Sequence, residues 1–296
     1  MEWTRSLKKA IDYMEEHLLE EIGAGDIANA VYMSPFYFQK GFKIVTGYSV
    51  GEYIRNRRLY LAGLEVIAGQ EKVIDLAYKY GYDTPESFTK AFARFHGLSP
   101  IQLREKPHRI KTFLPLRIEV IIRGGDKMDY VVKKMSSMKM IGFAKEFSFE
   151  TSYQEIPRFW DEICHKYAAP MMATGKAVNS LQQAVKDYGI GEYGICLDEN
   201  PEGNKFRYMI AGCYQGGEVP EGLEVVEIPA YEWAQFACVG ALPDALQSVN
   251  TRIFKEWLPA NEEFEIAGHV NLEWYSKGNT QAEDYESAIW IPLKRK

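Results

Sequence analysis

The chain has 296 residues, 46% of them apolar and 26% charged, with a formal net charge of −6 at pH 7. That length allows two domains with cores of their own, and the apolar share excludes a disordered or low-complexity chain. Charge is unevenly spread: residues 32–110 hold 12 Lys/Arg against 7 Asp/Glu, residues 1–31 hold 3 against 7, and residues 111–296 hold 20 against 27, so only the segment 32–110 carries the positive charge that attracts nucleic acid.

No run of about 18 apolar residues is present to cross a membrane, and the start Met1-Glu2-Trp3-Thr4-Arg5 is no signal peptide, so a soluble cytoplasmic protein is expected. Cys164, Cys196, Cys213 and Cys238 have no paired spacing and the five histidines no metal-ligand spacing. No disulfide, metal or other cofactor is expected.

Periodicity first marks a short helix over Asp26–Val31 centred on Ala28, and a second of the same kind over Val73–Lys79 around Ala77. Each is followed by a segment that recurs fifty residues on. Tyr32–Ser49 laid over Tyr82–Ser99 gives seven identities in 18 positions: Tyr32/Tyr82, Pro35/Pro85, Phe38/Phe88, Lys40/Lys90, Phe42/Phe92, Gly47/Gly97 and Ser49/Ser99. Ser34 and Thr84 stand at N-cap positions, and Pro35 and Pro85 at the first helical position, where the missing donor costs nothing. Phe38/Phe42 and Phe88/Phe92 are spaced to face a core, and Gly47 and Gly97 supply a left-handed stop.

The repeated unit therefore reads as the second helix of a helix-turn-helix. Its outward face carries Pro35, Phe36, Gln39, Lys40 and Lys43 in the first copy and Pro85, Glu86, Thr89 and Lys90 in the second, side chains able to reach base edges or phosphates. Between the copies, Val50–Ala68 predicts an unbroken helix with Tyr53, Ile54, Leu61, Leu64 and Ile67 for packing and Arg55, Arg57 and Arg58 toward solvent. About 18 helical residues span about 27 Å, near the roughly 34 Å between successive major-groove segments.

Phe42-Lys43, Thr46-Gly47, Ser49, Glu52-Tyr53, Arg57-Arg58-Leu59, Gly81-Tyr82, Ser87-Phe88, Phe92, Gly97, Ser99-Pro100 and Arg104 resemble the DNA-binding domain of AraC/XylS-type transcription regulators, over about the first 110 residues. The resemblance implies that Phe36, Gln39 and Lys40 meet bases in one groove segment and residues among Pro85, Glu86, Thr89 and Lys90 in the next. Pro85-Glu86 departs from the polar or neutral residues common there. An acid repels phosphate, but it accepts from a cytosine amino group.

Pro107 interrupts the helical texture, and a boundary is expected at residue 110, with a linker over 111–127 that contains a possible strand, Leu116–Ile122. From residue 128 two rounds of one order follow. The first has strands at Tyr130–Lys134 and Lys139–Phe147, a helix over Ser152–Tyr167, and strands at Tyr193–Asp198 and Arg207–Tyr214; the second has strands at Glu224–Ile228 and Trp233–Val239, a helix over Pro243–Leu258, and strands at Asn271–Tyr275 and Ser287–Ile291. An all-α double helix-turn-helix domain, 1–110, is thus joined to an α+β domain, 128–296, of two β-β-α-β-β repeats, pseudo-twofold, with two sheets flanking a central cleft. Glu273 stands out in mid-strand among large apolar residues, where a carboxylate either meets water or sits in a cavity.

Ala241-Leu242-Pro243, Ile253-Phe254, Glu256-Trp257-Leu258-Pro259 and Leu272-Glu273-Trp274-Tyr275 resemble the GyrI-like effector-binding domain of Rob/BmrR-type multidrug regulators, over about residues 128–296. The resemblance implies that Glu273 takes up a lipophilic cation at the floor of an aromatic cleft, with Trp160, Tyr193, Trp233 and Tyr275 as its walls. Together the two resemblances imply a one-component regulator of transcription, not an enzyme, whose partners are double-stranded DNA and a small cationic effector. The effector would act by reorienting the halves or by recruiting RNA polymerase. Two alternatives stay open: a hydrolase in which Trp233 and Glu273 activate water, or a protein-binding module of the gyrase-inhibitor kind.

Overall fold

The structure, a computed structural model, describes residues 2–118, 128–197 and 205–296. It divides into two compact units, Glu2–Ile121 and Ile122–Lys296. No described helix is long and apolar enough to cross a membrane.

The first unit is helical. Helix α1 (Glu2–Glu16), absent from the expected elements, repeats Trp3, Leu7, Ala10, Ile11 and Met14 at three- and four-residue steps, and all five are buried. Helices α2 (Ala24–Ala30) and α3 (Pro35–Thr46) form one helix-turn-helix, α5 (Val73–Lys79) and α6 (Pro85–His96) the other, with α4 (Val50–Ala68) between them and α7 (Pro100–Glu105) after. Ala28 and Ala77 are fully buried at the crossings, and their carbonyls accept from the turns, from the Met33 N–H at 2.9 Å and the Tyr82 N–H at 3.0 Å. The serine that ends each repeat starts the next helix: Ser49 and Glu52 at α4, and Ser99 and Gln102 at α7, exchange bonds in capping boxes.

Those turn bonds show that the first turn is one residue shorter than the second. Tyr82 corresponds to Met33, and Tyr32 takes the place of Gly81. Gly81 has φ +79 and Tyr32 is held at +57, a conformation costing a residue with a Cβ roughly 1–2 kcal/mol. Tyr82 packs on Phe88, whereas Tyr32 is 97% exposed, so the aligned tyrosines do different things.

Helix α4 is packed on several sides, and two of its arginines expected in solvent are not there. Arg57 is buried: Nε and Nη2 donate to Glu15 at 2.8 and 2.7 Å, and Nη1 donates to the Phe113 carbonyl at 2.6 Å. Arg58 donates to the carbonyls of Leu18 and Glu20 just beyond the end of α1, at 2.6 Å each. The guanidinium heads are satisfied in place, so their stems can be covered. The Phe113 ring lies against Tyr48, Tyr53 and Phe95. Residues 116–118 carry no strand, and the rest of the expected strand Leu116–Ile122 falls outside the described residues.

The second unit contains β1 (Val131–Met135), β2 (Met138–Ser148), α8 (Ser152–Ile163), α9 (Ala169–Thr174), α10 (Ser180–Tyr188), β3 (Tyr193–Leu197), β4 (Lys205–Cys213), β5 (Glu224–Ile228), β6 (Tyr231–Val239), α11 (Asp244–Arg252), α12 (Leu258–Ala260), β7 (Phe264–Ile266), β8 (Val270–Tyr275) and β9 (Glu286–Arg295). The doubled β-β-α-β-β order is present, with α9, α10, α12 and β7 added. The strands make one antiparallel sheet instead of two, in the order β1-β6-β9-β8-β3-β4-β2-β5 with β7 on β9. Exchanging the two repeats reverses that order onto itself. When Val131 is laid on Glu224 and Met138 on Tyr231, the pairing registers carry Met140–Cys213 onto Trp233–Pro292, Ala211–Tyr193 onto Trp290–Leu272, and Gly194 onto Glu273. Gly194 and Glu273 are themselves direct partners, so the pseudo-twofold axis passes between them.

Helices α8 and α11 each run into a π-helical turn, Cys164–Ala168 and Ile253–Trp257. Pro170 and Pro259 follow two residues on, where a regular α turn would press the proline ring on a carbonyl. These helices cover the sheet face that carries Phe143, Phe147 and Phe236, which meet Tyr167, Phe159 and Trp257 respectively. The other face buries a separate core of Met140, Ile195, Met209, Trp233, Val270 and Leu272.

In the helical unit, His96 is buried and doubly bonded: its Nε2 lies 2.9 Å from the Leu59 carbonyl, and the Lys111 N–H donates to Nδ1 at 3.2 Å. Only the neutral ring serves both bonds, and burial, aided by the Lys111 charge, lowers its pKa from 6.5. The unfolded chain therefore takes up a proton before the folded one does, so stability is full above the unfolded value and falls as pH drops below it. Urea titrations at about pH 7.5 and about pH 5 should show a larger loss for the wild type than for His96→Leu; equal losses would refute this role.

Candidate functional site

Helix α6 displays its outer face. Glu86 and Lys90 are exposed, Thr89 and Pro85 half-buried, and Thr84 fixes the start of the helix by accepting from the Ser87 N–H at 3.1 Å. Helix α3 differs. Pro35 is buried, Phe36 is 1% and Gln39 3% exposed, which corrects their assignment to an open reading face. With Phe36, Tyr37, Phe38 and Phe42 in twelve residues, the helix is apolar around most of its circumference, and such helices are covered on more than one side. Lys40 is half-buried with its ammonium 5.7 Å from the Phe36 ring centroid. Lys43 is held at 2.7 Å by Glu52; burial works to raise the Glu52 pKa, but the bonds from Lys43 and Ser49 outweigh it and hold the carboxyl low.

In the second unit, register decides which aromatic residues share a face with the acid. Glu273 on β8 is half-buried on the helix-covered face beside Tyr275, and Tyr208 on β4 reaches it over Gly194. The Tyr208 hydroxyl donates to Glu273 Oε2 at 2.8 Å, the Tyr275 hydroxyl donates to the same oxygen at 2.9 Å, and Trp160 Nε1 donates to the Tyr208 oxygen at 2.9 Å. The Trp160 and Tyr275 rings meet edge to face with centroids 5.0 Å apart. Among the described residues no Lys, Arg or His forms an ion pair with Glu273.

Burial first, and then the Glu273 charge, raises the pKa of Tyr208, Tyr275 and Tyr153 and pushes the Cys238 thiol up to about 12. The phenols stay protonated as donors. Of the expected walls, Trp160 and Tyr275 are thus brought to Glu273. Tyr193 and Trp233 are not: each lies one residue out of phase, on the opposite face, Tyr193 against Trp290 and Trp233 fully buried against Tyr231 and Trp290. Burial and Cys213 push the Tyr193 phenol up to about 12. Separation by the sheet also removes the pairing of Trp233 with Glu273 that a hydrolytic reading requires. Tyr208 was not anticipated as a partner of the acid, because its place depends on pairings between distant segments. Among the described residues no group of His, Cys, Asp and Glu is arranged to hold a metal ion.

Twin helix-turn-helix motifs followed by a pseudo-twofold α+β unit with an acid at its centre define an AraC-type DNA-binding transcriptional regulator with a GyrI-like effector-binding domain. A helix-turn-helix family model matches residues 27–106, and a model described as an integron-associated effector binding protein matches residues 132–293. The chain belongs to this effector-binding family. It is 34% identical over 100 residues to the uncharacterized HTH-type transcriptional regulator YbfP of Bacillus subtilis, covering 34% of each chain, so the match spans about a third of that relative. It is 30% identical over 100 residues to the regulatory protein SoxS of Salmonella typhimurium, covering 34% of this chain and 94% of SoxS. A solved protein bound to tetraphenylphosphonium covers 56% of this chain and 94% of its own at 22% identity and a TM-score of 0.45.

A Cβ at position 194 would collide with the Tyr208 hydroxyl and the Glu273 carboxylate. Gly194→Ala should therefore lower the urea stability of the effector unit by about 1–3 kcal/mol, read by tryptophan fluorescence; an unchanged midpoint would show that the close approach is dispensable.

Proposed function

We propose that the chain regulates transcription in the cytoplasm by gripping two successive major-groove segments with α3 and α6, and that it responds to a lipophilic organic cation seated on Glu273. The observation that carries the cation reading is a half-buried carboxylate served by two phenols, with no basic side chain paired to it among the described residues. Two O–H donors orient Oε2 but leave the net charge of the group uncancelled, and a charge in a partly desolvated place favours a counter-charge. Trp160 and Tyr275 offer the ring faces and edges that hold bulky cations. Bulky aromatic cations are the effector class this arrangement favours, with RNA polymerase recruitment or domain reorientation as the output.

On the DNA side, Lys40 and Lys90 occupy the same place in the two reading helices, and Glu86 and Thr89 stand beside Lys90 at the start of α6. Gln39 and Phe36 would join the contact only once α3 is uncovered. Pro35, Lys43 and Pro85 shape or anchor the helices in this reading and make no base contact.

Tetraphenylphosphonium is the probe for the first half of the proposal, with triphenylphosphine oxide as a neutral control. Loss of the buried counter-charge in Glu273→Gln should weaken the phosphonium by about 2 kcal/mol or more and spare the oxide; equal losses for both would reduce Glu273 to a structural role. For the second half, duplexes selected from a random pool by the full chain supply the operator. Lys90→Ala should cost about 1–3 kcal/mol on them if a base contact is lost, and wild-type affinity equal for selected and random duplexes would defeat the sequence-reading assignment.

A further inference from the structure

The sheet of the effector unit ends in two five-residue strands of opposite charge. Among the described residues β1 is paired only with β6 and β5 only with β2, so each offers a row of backbone donors and acceptors along its outer side. Strand β1 reads Val131-Val132-Lys133-Lys134-Met135, with two bases and no acid; β5 reads Glu224-Val225-Val226-Glu227-Ile228, with two acids and no base. All four charged side chains are exposed, as are Val131 at 56%, Val132 at 39% and Val225 at 38%. Lys134 meets Glu232 at 3.1 Å and Glu224 meets Arg207 at 2.7 Å, exposed pairs that a new neighbour can share.

Direction and pleat also match. The path from β1 to β5 has eight strands, each antiparallel to the next, so its two end strands run in opposite directions. A second copy laid alongside in the same sense, its β1 against this β5, therefore continues the antiparallel alternation and keeps the helix-covered face on one side. Val131 and Lys133 lie on the face of Trp233, and Glu224 and Val226 on that of Met140, and Trp233 and Met140 share one core. Setting Val132 across from Val225 then places Val131 across from Val226 and Lys133 across from Glu224, apolar on apolar and base on acid. The self-matched alternatives, β1 against β1 or β5 against β5, crowd four bases or four acids into one junction. We propose that the chain binds a second copy of itself head to tail, β1 of one copy pairing with β5 of the next. Each edge rejects its own image and accepts the other, and neither the effector nor the DNA reading is needed for this.

The test is sedimentation of the full chain from about 1 µM to about 1 mM; a junction of two short strands falls below the standard interface of about 1,200 Å², so a Kd on the order of 100 µM is expected. The average mass should climb past two copies, because a head-to-tail contact leaves an open edge at each end, and the climb should shrink as salt rises from about 0.1 to about 1 M. Lys133→Glu with Lys134→Glu, and Glu224→Lys with Glu227→Lys, should each abolish association by giving both edges one sign. Mixed in equal amounts, these two variants should associate again. Val225→Lys, a single exposed change at the centre of the junction, should also leave a monomer and touches no ion pair. A wild type that stays monomeric throughout would overturn the proposal. So would a mass that levels at two copies and ignores charge reversal, or reversed variants that associate singly as the wild type does or fail to associate when mixed.

Discussion

The effector unit is organised around one carboxylate pinned by two phenols where the halves of a sheet meet. Glu273 and Gly194 face each other across the β3–β8 pair, and the missing side chain at 194 is the opening through which Tyr208 reaches the acid. Trp160 then reaches Tyr208 from α8, which ties helix to sheet through the same oxygen atom. Each member is fixed by another: the phenols by the carboxylate that accepts from both, the indole by the Tyr208 oxygen to which it donates, the acid by both hydroxyls. The result is a carboxylate held in one orientation by donors of the chain itself.

The second helices of the two helix-turn-helix motifs differ although their sequences are alike. Both are twelve residues long, both end at a glycine in the left-handed region, φ +82 and +74, and both follow a helix crossed at an alanine. Yet α6 opens Glu86 and Lys90 to solvent while Phe36 and Gln39 on α3 are covered. The cause is visible in composition: α6 carries Glu86, Ser87 and Thr89 where α3 carries Phe36, Tyr37 and Gln39. The outer face of α3 is thus aromatic where that of α6 is polar, and large aromatic side chains are the ones most often buried.

Local chemistry was readable from the chain and cross-chain register was not. Proline at the first helical position and glycine at the stop placed α3 and α6, and β-branched alternation placed β5 to the residue, because each signal acts within a few positions. The capping boxes at Ser49 and Ser99 carried the same kind of signal, a serine followed three residues later by Glu or Gln, and would have yielded α7. Arg57 was misplaced because a helix between two motifs has no single outward side, and its partner Glu15 lies 42 residues away. The site divides the same way. Glu273 and Tyr275 share a face by simple alternation, and Trp160 follows from its helix. Tyr193 and Trp233 lie on other strands, where a step of one residue in register sends a side chain to the far side of the sheet.

The axis through Gly194 and Glu273 carries one more implication. Two identical polypeptides, each a single β-β-α-β-β repeat, would satisfy the same palindromic strand order as a homodimer, β1 and β5 being the strands each copy lends to the other. In such an assembly whatever residue stands on the dyad meets its own image, so the centre would hold two glutamates or none, and adjacent like charges would share a proton between them. Joining the copies in one gene releases that position from duplication. A solitary negative charge at the heart of a symmetric scaffold is a privilege of the fused chain.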